Sequence, residues 1–144
     1  MSRRYITVDE QSAIIERAQG RCEYCQSWMS YATQPFVYEH VIPISRDGET
    51  TLENLALACG GCNGHKYNKV DAPDPVDGKL VPLYDPRRQR WQDHFGWDDD
   101  YTHVVGLTPA GRATVEALKM NRAGVVNMRR LLRTVGKHPP NFDD

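Results

Sequence analysis

The sequence predicts a small α+β domain. Two short β-rich runs are followed by a short helical segment. Two Cys-x-x-Cys pairs bracket this unit, and amphipathic helices precede and follow it. The chain has 144 residues with 40% hydrophobic content, enough for one compact core but not for two independent ones. One domain over residues 1–144 is therefore expected, with an N-terminal helix in 1–21, a cysteine-framed core in 22–70 and a C-terminal part in 71–144.

Each element has a local cause. Thr7-Val8-Asp9-Glu10 has the pattern of a capping box, in which the Thr hydroxyl accepts from the amide three residues on and Glu10 reaches back. Ile14, Ile15 and Ala18 give the following helix an apolar stripe, and Gly20 suits a left-handed end. Phe36 to Ile42 is rich in β-branched and aromatic residues and reads as a strand that Pro43 terminates. Ser45 to Thr50 has turn chemistry, Leu55 to Ala58 returns as the second strand, and Asn63 to Lys69 reads as a short helix. Pro73, Pro75, Pro82 and Pro86 predict a wrapping loop over 71–86. Trp91 to Tyr101 reads as an aromatic arm over the core, in which His94 packs beside Trp91 or Trp97. Thr108-Pro109 opens a helix to about Met120, and a second helix carries Val125, Val126, Met128, Leu131 and Leu132 together with several arginines. His103 and His138 carry no signal.

The four cysteines, Cys22, Cys25, Cys59 and Cys62, make two closely spaced pairs. Such pairs suit a tetrahedral ion better than a dispersed disulfide framework, which points to a reducing compartment. Four thiolates leave a zinc ion no open position, so this ion is structural; a rubredoxin-type iron centre or a redox pair remains the alternative. No run approaches the ~20 apolar residues of a membrane span, and the first residues lead into polar sequence without the apolar segment of a signal peptide. A cytoplasmic protein is the expectation. The net charge of −1 gives no global nucleic-acid signature. Charge is nevertheless uneven. Between Pro109 and His138, seven Lys or Arg stand against the single acid Glu116. On that helix a solvated face and contact with a phosphate backbone are comparable readings for Arg129, Arg130 and Arg133.

Tyr38-Glu39-His40-Val41-Ile42-Pro43, Glu53-Asn54-Leu55 and Cys62-Asn63-Gly64-His65-Lys66, set between the cysteine pairs, resemble the HNH endonuclease family closely from Cys22 to Lys66. The stretch from Leu83 to Leu132 also resembles the C-terminal extension of some bacterial HNH proteins. The resemblance implies a ββα-metal (His-Me finger) core and hydrolysis of DNA phosphodiesters by nicking or cleavage. It makes His40 the general base, Asn54 the brace of the hairpin loop, and Glu39 and Asn63 the ligands of one catalytic ion. Two positions depart from the commoner family residues: Glu39 stands where aspartate is usual, and Asn63 where histidine is frequent. An amide oxygen is a hard donor, so magnesium or manganese is the expected ion, with His65 as a rival ligand or phosphate contact. A flat strand would turn Glu39 and His40 to opposite faces, so the implied site requires a twist or bulge at the strand end. Lys66 and Arg46 are candidate phosphate contacts, a solvated helix end being the alternative for Lys66. DNA is the expected partner and homodimerisation is left open. The rival functions are a zinc-framed nucleic-acid-binding module without catalysis, and an RNA-cleaving or toxin nuclease.

Overall fold

The computed structural model describes residues 4–142; the remaining ends of the expected 1–144 span, residues 1–3 and 143–144, lie outside it. Helix α1, Val8–Arg17, begins at Thr7, whose hydroxyl accepts from Glu10 while Glu10 accepts from the Thr7 amide, so both halves of the capping box form. It ends through left-handed Gln19 and Gly20, with the Gly20 amide donating to the Ile15 carbonyl at 3.0 Å. Ile14 is fully buried and packs on Leu55 and Leu57 of strand β2, Leu55–Ala58.

Strand β1, Val37–His40, pairs antiparallel with β2 in an unbroken register that sets Tyr38 against Leu57, Glu39 against Ala56 and His40 against Leu55. Side chains alternate across a strand, and opposite residues share a face. Tyr38 and His40 therefore lie on the face of Leu55 and Leu57, toward α1, while Val37 and Glu39 lie on the face of the larger core. All of β2 is buried because both faces are covered.

Helix α2, Gly60–Lys66, starts three residues earlier than the sequence predicts. Cys59 is its N-cap, with the sulfur accepting from the Cys62 amide at 3.4 Å, a role that the usual oxygen-bearing cap residues do not signal. Beyond it the chain departs from prediction twice. The expected wrapping loop contains a hairpin of β3, Asp71–Pro73, and β4, Leu80–Pro82. Its prolines sit at the ends of a two-stranded ladder, where one edge of each strand needs no donor. Its turn is organised by buried Asp74, which Arg112 grips through both carboxylate oxygens at 3.0 and 2.8 Å.

The expected aromatic arm is instead a short helix and a hairpin: α3, Trp91–His94, then β5, Phe95–Trp97, paired with β6, Val104–Gly106. Trp91 and Phe95 are part of the core rather than a cover on it, and the Trp91 indole donates to the Tyr24 carbonyl between Cys22 and Cys25 at 2.8 Å. His94 does not pack on either tryptophan; its Nδ1 is 2.7 Å from the Thr108 hydroxyl, and its ring lies 5.8 Å from that of Tyr84. Helices α4, Pro109–Ala117, and α5, Ala123–Thr134, follow as expected. Among the described residues no helix is long and apolar enough to cross a membrane.

His138, without a sequence signal, is buried against Trp97, and its Nε2 lies 2.7 Å from the Tyr101 carbonyl. Burial lowers its pKa to about 4 against the partial support of that carbonyl. The unfolded chain therefore takes up the proton first as pH falls. The stability owed to neutral His138 is whole above the unfolded value near 6.5 and is lost as pH falls toward 4. Between pH 6.5 and 5 the parent is expected to lose on the order of 1 kcal/mol more unfolding free energy than His138→Gln, read by urea titration with zinc in excess. Parallel pH profiles for the two proteins would refute this assignment.

Candidate active site and metal centre

The Sγ atoms of Cys22, Cys25, Cys59 and Cys62 all lie within 4.8 Å of one another, and all four residues are buried. A tetrahedral zinc with Zn–S bonds of about 2.3 Å sets its sulfurs about 3.8 Å apart. The Cys25 and Cys59 sulfurs stand 3.6 Å apart, so the donor set fits zinc in both chemistry and spacing. Burial pushes the Cys22 thiol well up, whereas hydrogen bonds from the other three thiols pull Cys25 well down. A buried cluster of this kind holds shared protons until a cation displaces them.

The first cysteine turn is also stitched to the hairpin. Glu23 donates its amide to the Leu57 carbonyl at 2.9 Å, and its carboxylate accepts from the Leu57 amide at 2.8 Å. Arg87 forms an ion pair with the same carboxylate from the C-terminal part of the chain. The metal frame thereby fixes one end of β2 directly, and β1 by pairing.

His40 sits at the end of β1, half-buried, with Nε2 2.9 Å from the hydroxyl of buried Thr50. It lines a cleft of about 310 Å³ whose walls also include Tyr38, Glu39, Pro43, Ser45, Asn63 and Tyr67. The structure thus brings His40 and Asn63 to one cleft from two elements. Between them the loop closes tightly: a Cβ on Gly48 would fall 1.7 Å from the Ile42 carbonyl oxygen, so only glycine fits there.

Asn54 spans that loop. Its Oδ1 accepts from the Ile42 amide at 2.9 Å, and its Nδ2 donates to the carbonyls of Ile42 at 2.9 Å and Glu49 at 2.8 Å. Three nearly buried hydrogen bonds leave several polar groups unpaired when the side chain is cut back, so Asn54→Ala is expected to cost about 2–4 kcal/mol in urea unfolding of the zinc-loaded protein. Asn54→Asp should not restore this, since it replaces two donations to carbonyls by repulsion. A loss below about 1 kcal/mol in both variants would contradict the bracing geometry.

Three expected contacts are corrected. Because β1 is regular, with no bulge, Glu39 faces away from His40 into the core, where Lys66 Nζ lies 2.7 Å from its carboxylate. Burial raises the Glu39 pKa, with Lys66 acting against that rise. Lys66 is only 1% exposed and also donates to the Val41 carbonyl at 2.8 Å, so it is neither a phosphate contact nor a solvated helix end. Arg129 is likewise buried, donating to the carbonyls of Cys25, Thr102 and Met120 and to the Asn121 side chain. In each case a long cation is satisfied by carbonyls or a carboxylate far away in sequence. Arg46, Arg130 and Arg133 stay exposed: Arg46 Nε donates to the Asn68 carbonyl, Arg130 contacts Asn127, and Arg133 donates to the Asp100 carbonyl beside the Tyr101 ring. His65 is exposed at the end of α2.

Glu39 and Asn63 border the same cleft, but the Glu39 carboxylate is paired with Lys66 and is not free to share a divalent ion with Asn63 in this arrangement. Among the described residues, the four cysteines are the one group of three or more His, Cys, Asp or Glu side chains whose ligand atoms lie close enough together to hold one ion. Sequence reading missed Tyr38 and Tyr67 in the cleft and Thr50 as the partner of His40; Thr50 lies in a segment read only as a turn.

A family model described as HNH endonuclease matches residues 22–69. No curated protein and no solved structure matches the chain. The matched segment, a third of the chain, runs from the first cysteine of the cluster to just past α2, so the hairpin, its loop and the short helix described above are the part that is similar to HNH endonucleases.

Proposed function

We propose that this protein is an endonuclease that hydrolyses DNA phosphodiester bonds, with His40 as general base. The observation that carries this reading is the placement of His40: its imidazole is held by Thr50 on the wall of the cleft that Asn63 also lines, within the HNH segment. An imidazole can take a proton from water near neutral pH, and the Thr50 hydroxyl fixes the ring's direction while it does so. The Asn63 amide supplies a polar contact on the facing wall. Arg46, Arg130 and Arg133 are the exposed cations available to the phosphate backbone, which dominates affinity without base readout. Magnesium or manganese is the cofactor that the family resemblance implies. Asn63 and, once released from Lys66, Glu39 are the residues that would hold such an ion, which would supply positive charge to the phosphate.

The test is incubation of zinc-loaded protein with supercoiled plasmid in magnesium, in manganese and without added divalent ion. Nicked circles in at least one of the ion-containing reactions are expected. The Glu39–Lys66 pair favours one rival reading, a zinc-framed nucleic-acid-binding module. A gel shift with intact plasmid under every condition would select that module. Degradation of RNA with intact DNA would select the RNA-cleaving nuclease.

A further inference from the structure

A guanidinium faces the zinc-binding thiolates from outside the family-matched segment. Arg122, half-buried at the junction of α4 and α5, places Nη2 3.4 Å from Cys59 Sγ and 3.9 Å from Cys62 Sγ, with Nη1 3.7 Å from Cys62 Sγ. Nη1 is anchored by the carbonyls of Leu118 at 2.9 Å and Lys119 at 2.8 Å. The close approach needs Gly61: a Cβ there would fall 2.7 Å from the guanidinium carbon.

Four thiolates around one divalent cation carry a net double negative charge in a buried setting, which is costly to leave uncompensated. A guanidinium is permanently charged and donates in a planar fork, so it withdraws charge from two sulfurs together. The Arg129 contact on the same frame is different in kind, since it reaches the Cys25 carbonyl.

We propose that Arg122 is the outer-sphere counter-ion of the four-cysteine centre, and that it slows the loss of zinc. Retention of the ion by the 22–69 segment thereby depends on the C-terminal half of the chain, to which the family model assigns nothing. This does not rest on the nuclease reading.

The test uses full-length, zinc-loaded protein and follows transfer of zinc to excess chromogenic chelator. Arg122→Gln is expected to release zinc about 10- to 100-fold faster than the parent, the range typical for lost outer-shell partners of a metal site. Arg122→Lys should fall between them. Gly61→Ala, which displaces the guanidinium without removing it, should also accelerate release, and the double variant should be no faster than Arg122→Gln alone. Two controls separate charge from loosening of the junction. Asn121→Ala removes hydrogen bonds to the Val104 backbone and to Arg129 at the same junction, none of which reaches a sulfur, and Arg130→Gln removes an exposed cation. Both should stay within about twofold of the parent. Release from Arg122→Gln within twofold of the parent, or equal acceleration by Asn121→Ala, would overturn the proposal. If Arg122→Gln cannot be purified with zinc, Arg122→Lys and Gly61→Ala decide, and parent-like rates in both would overturn it.

Discussion

His40→Ala is expected to lower the plasmid-nicking rate by about 10²–10⁴-fold, the usual contribution of a positioned general base, while the protein keeps one zinc per chain. Its structural cost should be small. The ring is half-buried, and loss of its hydrogen bond to Thr50 removes about 1 kcal/mol of stability. A large loss of rate with an almost unchanged urea midpoint separates a chemical role from a structural one. If the variant nicks as fast as the parent, His40 is not the base, and the cleft lined by Asn63 and Tyr67 must act through another group.

Removing the zinc is expected to abolish the cooperative fold rather than weaken it. Cys22, Cys25, Cys59 and Cys62 belong to the same buried cluster as Tyr24, Tyr84, Trp91, Phe95 and Leu118, so an ion held by them would lie within the principal core. Apparent zinc-binding free energies in such sites run to about 10–16 kcal/mol, whereas the whole stability of a domain is about 5–15 kcal/mol. The first term matches or exceeds the second. Excess chelator, or Cys62→Ser, should therefore replace a sharp thermal transition by a broad one and erase the near-ultraviolet dichroism of Trp91 and Trp97. A metal-free protein with a parent-like transition would mean that packing alone holds the hairpin.

The metal frame and the hairpin were legible because their causes are local. A capping box, a β-branched run ending at proline, and two Cys-x-x-Cys turns each declare themselves within a few residues, and β2 falls where it was expected. What was not legible depends on partners distant in the chain. Lys66 looked like a phosphate contact until Glu39 was placed opposite it, and Arg129 looked like a surface cation until four acceptors from other segments closed around it. Strand alternation already set Glu39 against His40. The sequence implies a twist or a bulge to reconcile them, and the unbroken pairing of β1 with β2 excludes the bulge. The two extra hairpins were hidden for another reason: prolines and a mixed aromatic segment mask strands that have only three residues each.

X-ray absorption at the zinc edge of the purified protein measures the frame on which every other position depends. One zinc per chain surrounded by four sulfurs at about 2.3 Å is the predicted result. A shell containing nitrogen or oxygen donors, or protein that folds without stoichiometric metal, would contradict it.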